Sequence, residues 1–179
     1  MTRITADISV SLDGFVTGPD PSPDNGLGTG GEALHTWAFS DDPDGPKGWD
    51  DTSGYGAGEV SKPAFVVVTG SPPESVRTTN LDWTFVTTGL PDAVTAARER
   101  AEAASSDSGK NLDVILMGGG ATIGSALDAG LVDALTLHLA PIVLGAGTPV
   151  FTGGAPRTLV QRSVISTSTA THLTYDVFR

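Results

Sequence analysis

Residues 114–124 read V-I-L-M-G-G-G-A-T-I-G, and this run constrains the fold more than any other segment. An apolar strand that breaks at three glycines and then enters a helix is a strand–turn–helix unit, the building block of a parallel sheet. Glycines at such a turn let a backbone or a ligand come close. The N-terminus of the following helix offers unpaired N–H groups and the positive end of the helix dipole, which suits a phosphate or pyrophosphate. Thr122 adds a hydroxyl to that end. The same run also serves as a tight turn with no ligand, because a short glycine run is not a full dinucleotide fingerprint.

The rest of the chain supplies partners for this unit. Ile4, Ala6, Ile8 and Val10 alternate with polar residues, which predicts a strand ending near residue 11. Residues 13–31 are rich in Gly, Pro, Asp and Asn and read as a long functional loop. Residues 32–39 suit a short helix with Leu34, Trp37 and Ala38 on one face and Phe39 beside them. A second Gly/Pro/Asp-rich stretch fills 40–62, with Trp49 and Tyr55 as its large side chains. The apolar run 64–69, bounded by Pro63 and Gly70, predicts a strand covered on both faces. Residues 83–87 predict another strand, and Pro91 opens a helix to about residue 104. Beyond the strand at 112–117 come a helix over 121–129 stopped by Gly130, an alternating strand over 131–140, a Gly-rich stretch over 141–151, and two final strands at 158–166 and 171–178. This order predicts an α/β sandwich whose central sheet is mostly parallel with an antiparallel C-terminal edge. With 179 residues, one domain over 1–179 is expected.

Composition narrows the function. Asp and Glu number 21 against 10 Lys and Arg, a net charge of −11, which disfavours nucleic acid and anionic membrane surfaces as partners. There is no Cys, so disulfides, thiolate metal sites and Cys nucleophiles are excluded. No apolar run approaches the about 18–20 residues of a membrane span, and the first residues lack a signal-peptide pattern, so a cytoplasmic protein is expected. His35, His138 and His172 show no metal-ligand spacing, and no metal is expected. His138 reads as a strand residue facing solvent or a packed neighbour, with no carboxylate partner in view. In S-L-D-G, residues 11–14, Asp13 ends a strand before a Gly-rich loop. It reads as a proton relay or substrate-orienting acid, or else as a loop cap.

The segments I-T-A-D-I-S-V-S-L-D-G-F-V-T-G-P-D, M-G-G-G-A and A-G-L-V-D-A-L-T-L-H-L-A-P-I-V-L-G-A-G-T-P-V-F closely resemble dihydrofolate-reductase-like proteins. Within them the nearest branch is the reductase domain of bifunctional riboflavin-biosynthesis deaminase-reductases and its stand-alone relatives. The resemblance implies a three-layer α/β sandwich that binds NADPH and passes a hydride to a small heterocycle or an imine- or enone-like bond. It places the cofactor phosphates at Gly118, Gly119, Gly120, Ala121 and Thr122. Ala6, Asp7 and Gly18 match the nicotinamide side, Asp13 the acidic position of the family's S-x-D-G, and Leu144 and Gly145 a substrate-side loop. Trp37 is a further substrate-side candidate, with a core role as its plain alternative.

The chain departs from this pattern twice. Relatives carry a further helix and a strand ending in G-R-R-T or a similar turn before the A-F-V-V-V strand, and that helix–strand unit is missing here. Relatives often place Arg after that strand, where this chain has Thr69, Gly70 and Ser71, with Thr69 and Ser71 taking the cofactor-side positions. Hydrogen bonds to charged groups contribute about 1.5–3 kcal/mol each, so losing two anchors weakens NADPH binding by about two to four decades unless Lys62 or Arg77 replaces them. A reductase with a remodelled cofactor site is the leading expectation. A non-redox cyclase, isomerase or lyase on the same scaffold is the alternative, and a non-catalytic ligand-binding protein is a third reading. A homodimer is expected, because the missing strand leaves an edge that the 40–62 loop or a second subunit must cover.

Overall fold

The computed structural model describes residues 2–40, 64–76 and 82–178. One domain is the expectation; the contacts fall into two compact units, Ile4–Pro46 with Ile115–Arg179, and Met1–Arg3 with Lys47–Val114. The expected gap-filling loop at 40–62, with Trp49, Tyr55 and Lys62, lies beyond residue 40 outside the described residues, as does Arg77.

The first unit is built on a five-stranded sheet in the order β4-β1-β5-β7-β6, from β1 (Ile4–Val10), β4 (Val114–Leu116), β5 (Ala134–Leu139), β6 (Leu159–Ser166) and β7 (Thr171–Val177). β1 pairs parallel with β5, while β5–β7 and β7–β6 are antiparallel, so the parallel sheet with an antiparallel C-terminal edge is present as expected. Side chains alternate between faces. Ile4, Ala6, Ile8 and Val10 of β1 line up with Leu135, Leu137 and Leu139 of β5 on one face. Helix α2 (Gly120–Asp128) buries Ile123, Ala126 and Leu127 and ends before Gly130, which has φ 66°. The opposite face is polar across three strands: Asp7 and Ser9 on β1, Thr136 and His138 on β5, His172 and Thr174 on β7.

Residues Gly31–Phe39 form a 3₁₀ helix rather than an α-helix. Its period of three puts Gly31, Leu34 and Trp37 on the buried face and turns Phe39 out, 70% exposed. β4 is short and sits at the end of the sheet order, so Ile115 is 54% exposed and the expected buried strand over 112–117 shrinks to three residues.

The two long loops are ordered because they bond to each other. The Val16 N–H donates to the Thr148 carbonyl (2.8 Å), Val150 N–H to Gly14 (2.9 Å) and Leu12 N–H to Ile142 (2.8 Å). The Thr17 hydroxyl donates to the Thr148 hydroxyl at 2.9 Å and accepts the Thr148 N–H at 3.0 Å. Val16 and Val150 thereby join Val10 in a buried apolar cluster. Backbone groups in loops need partners, and here each loop supplies them to the other.

In the second unit, β2 (Ala64–Val68) and β3 (Asp82–Val86) form a separate parallel pair, with Phe65 and Trp83 stacked at 4.8 Å. β2 was expected to be covered on both faces. Its ends are exposed and its middle half-buried, because it has one strand neighbour among the described residues. Helix α1 (Leu90–Ser108) runs a turn further than its composition predicts. The Ser105, Ser106 and Ser108 hydroxyls donate to carbonyls four residues back, and Gly109 then stops the helix with φ 67°. Among the described residues no helix is long and apolar enough to cross a membrane.

Candidate functional site

Ligands in open α/β sheets bind at the carboxyl ends of parallel strands, where the connecting loops gather. Here β4 runs into Gly118–Gly120, β1 into the loop of residues 11–18, and β5 into the loop of residues 140–150. The laced loops come up against the glycine turn: a Cβ on Gly120 would lie 2.5 Å from the Pro149 carbonyl oxygen.

The three glycines do different work. Gly118 has φ 111°, and a Cβ there would approach Ile8 at 3.1 Å. Gly120 is required by the close approach of the 149–150 backbone. Gly119, joined to Gly118 by a cis peptide bond, is exposed, has φ −69°, and would meet nothing within 4 Å. Its carbonyl accepts the N–H groups of Thr122 (3.0 Å) and Ile123 (3.1 Å), and no side chain caps α2. Gly119, the exposed Ala121 and the half-buried Thr122 thus flank an uncapped helix start that can receive an anion.

Asp13 belongs to the scaffold of this site. Its carboxylate accepts the Leu144 N–H at 3.1 Å and the Gly145 N–H at 2.7 Å. A hydrogen bond from the Ser11 side chain, joined by these backbone N–H groups, holds its pKa below the ordinary 3.8 although desolvation pushes it up. A carboxylate held ionised is a poor proton donor near neutral pH, and in this structure Asp13 clasps two loops. Leu144 and Gly145 serve that clasp through their N–H groups. Three further candidates lie inside the scaffold. Ala6 is fully buried in the apolar core and offers no ligand surface. Gly18 is buried where a Cβ would lie 1.9 Å from the Thr29 carbonyl oxygen, so it is a packing glycine. Trp37 is 5% exposed and turned inward. Thr69 and Ser71 lie in the other unit and form a local turn, the Thr69 hydroxyl donating to the Ser71 carbonyl at 2.8 Å.

What the sequence reading missed is on the polar face of the sheet. His138 does have a carboxylate partner: its Nε2 lies 2.9 Å from Asp7 Oδ1. Its Nδ1 lies 2.6 Å from Nδ1 of His172. Trp37 stacks on His138 with ring centres 3.9 Å apart, and its Nε1–H donates to the Ser9 hydroxyl at 2.9 Å. The pairing of His138 with both Ser9 and His172 follows from strand register, which no spacing along the chain reveals. Among the described residues no group of His, Asp or Glu is arranged to hold a metal ion.

The family model of the RibD C-terminal domain matches residues 2–174. The chain belongs to this family. A protein of Shewanella sp. PV-4, named as a riboflavin biosynthesis protein, aligns over 100% of both chains at 22% identity with a TM-score of 0.60. RibD of Acinetobacter baumannii aligns over all of this chain and 59% of its own length, at 14% identity and a TM-score of 0.59. At these identities the likeness is one of fold. No curated protein sequence matches the chain.

Proposed function

We propose that this protein is a reductase of the riboflavin-pathway type, using NADPH to reduce a small heterocyclic or imine-like substrate. The observation that carries this reading is the uncapped start of α2 beside the open Gly119, in a chain matched by the RibD C-terminal domain model. The residues fit a nucleotide phosphate in shape: Gly119 leaves room, and the N–H groups of Gly120 and Ala121 open α2 as donors, that of Thr122 being bonded to the Gly119 carbonyl. When bound, the cofactor supplies the hydride. The chain's own contribution is to hold the phosphates on α2, to fix the facing loop through the Asp13 clasp, and to seal the sheet end with the Thr17–Thr148 lace.

Among the described residues of its unit, no cation assists at that turn. The described arginines of the unit are both ion-paired elsewhere, Arg157 with Asp128 at 2.9 Å and Arg162 with Asp176. Backbone dipoles therefore carry the phosphate interaction there, which makes binding weaker than with guanidinium anchors. Titration of the purified protein with NADPH and with NADH, followed by nicotinamide fluorescence, tests the reading. Saturable binding at about micromolar to high-micromolar concentration is expected; no binding at millimolar cofactor overturns it and favours the non-redox reading, to which the Asp7–His138–His172 group is suited without a cofactor.

A homodimer is proposed along β6. This edge strand leaves Val160, Val164 and Ile165 at least 40% exposed, and an uncovered apolar edge seeks another strand.

A further inference from the structure

All three histidines of the chain lie in one unit; Trp37 packs against His138 and His172, and the Asp7 carboxylate meets His138. The proton count of this cluster is constrained by its contacts. Asp7, when ionised, only accepts, so the 2.9 Å contact requires His138 to carry its proton on Nε2. A neutral His138 then accepts at Nδ1, and the 2.6 Å contact requires His172 to donate from its own Nδ1. One further proton reverses that bond: His138 becomes the imidazolium and donates from Nδ1, while His172 moves to its Nε2–H form. The change therefore takes a proton at His172 Nε2 together with a shift along the Nδ1–Nδ1 line.

The exposure of the chain of groups is graded. The Asp7 side chain is 32% exposed, and that of His138 is 4%. Trp37 covers His138 on one side and meets His172 edge-on at 5.1 Å. A buried group that served packing alone would be satisfied by neutral partners. This one instead joins a solvent-reaching carboxylate to two back-to-back imidazoles. His35, half-buried on the 3₁₀ helix, has its pKa lowered first by desolvation and then by repulsion from His138. The cluster thus resists a second positive charge. Other charges on the same face are Asp176 and its partner Arg162, four residues along β7 from His172.

We propose that Asp7, His138 and His172 form one proton-relay site, with Asp7 as its working end, for a substrate whose reacting nitrogen or oxygen gains a proton. The proposal rests on the reductase reading and deepens it. Hydride addition to the carbon of a C=N or C=O bond leaves an electron pair on the heteroatom. The Asp7 carboxyl gives its proton to that pair, forming N–H or O–H. That proton comes from Nε2 of the imidazolium form of His138, which is left neutral with its Nδ1–H donated to His172 Nδ1, and Asp7 is ionised again. The hydride's electrons come from the reduced nicotinamide, which leaves oxidised.

The test is nuclear magnetic resonance of the full chain labelled with ¹⁵N-histidine, followed across the histidine pH range. Three histidines give an assignable spectrum, with His35→Gln, His138→Gln and His172→Gln identifying the signals. The expected result is that His138 and His172 show the Nε2–H and Nδ1–H forms at high pH and change together in one coupled step. Asp7→Ala removes the acceptor facing Nε2, so the high-pH His138 signal no longer shows the Nε2–H form alone. Independent midpoints, or an unchanged His138 tautomer in Asp7→Ala, overturn the relay. The cofactor titration separates the two ideas. Coupled titration without NADPH binding leaves the relay and removes the reductase, while NADPH binding with independent histidines does the reverse.

Discussion

Gly119 and Gly120 are neighbours with opposite constraints, and that contrast gives the sharpest test of the phosphate site. A methyl group on Gly120 would sit 2.5 Å from a backbone oxygen, so Gly120→Ala must move the 149–150 loop. It should cost about 1–3 kcal/mol in chemical denaturation. A methyl on Gly119 meets nothing and φ is −69°, so Gly119→Ala should change stability by no more than about 0.5 kcal/mol. If α2 holds a phosphate, Gly119→Ala nevertheless weakens NADPH binding, since the methyl stands where the backbone meets the ligand. Unchanged affinity in a stable Gly119→Ala protein would return the turn to a purely structural role. The sequence showed that these glycines form a strand-to-helix turn. It could not show which of them the fold consumes, because the consuming atoms belong to Pro149 and Val150. Asp13 makes the same point. Its position after a strand was readable, but its partners lie more than 130 residues away, at Leu144 and Gly145. Its lowered pKa means the clasp is present above the ordinary 3.8 and is lost as pH falls through the folded value. An acid limb near neutral pH therefore cannot come from Asp13.

At the scale of elements, the strands and α2 were readable because each carries its own period, two for β1 and a helical stripe for α2. The 3₁₀ form of Gly31–Phe39 was not, because three- and four-residue spacings cannot be told apart over nine residues. The loops were readable only as loops. Their order comes from pairing at long range, and at Gly147 the two backbones leave no room for a side chain. A Cβ there would lie 1.9 Å from the Thr17 carbonyl oxygen, and its φ is 143°. Gly147→Ala therefore forces the lace open. A loss of more than about 2 kcal/mol is expected by denaturant unfolding, the sum of overpacking and backbone strain. Amide exchange at Val16 and Val150 should accelerate with it, since their N–H groups bond across the lace. Stability and exchange equal to the parent would mean that the two loops are held apart in solution.

For the whole molecule, the charge of −11 has to be reconciled with an anionic cofactor. A protein that holds phosphates with free guanidinium groups loses affinity as salt rises, because the attraction is screened. In the unit that carries the glycine turn, Arg157 and Arg162 are paired with Asp128 and Asp176. On the proposed reading, phosphates there would meet backbone N–H groups at contact range and a net negative field at long range. Salt screens the long-range repulsion over a Debye length of about 10 Å at 0.1 M and leaves contact hydrogen bonds largely intact. NADPH affinity, measured by fluorescence titration from about 0.02 to 0.2 M sodium chloride, is therefore expected to hold or rise. A fall of about tenfold over that range would show that a cationic side chain carries the phosphate. The glycine turn would then be the lesser part of the site.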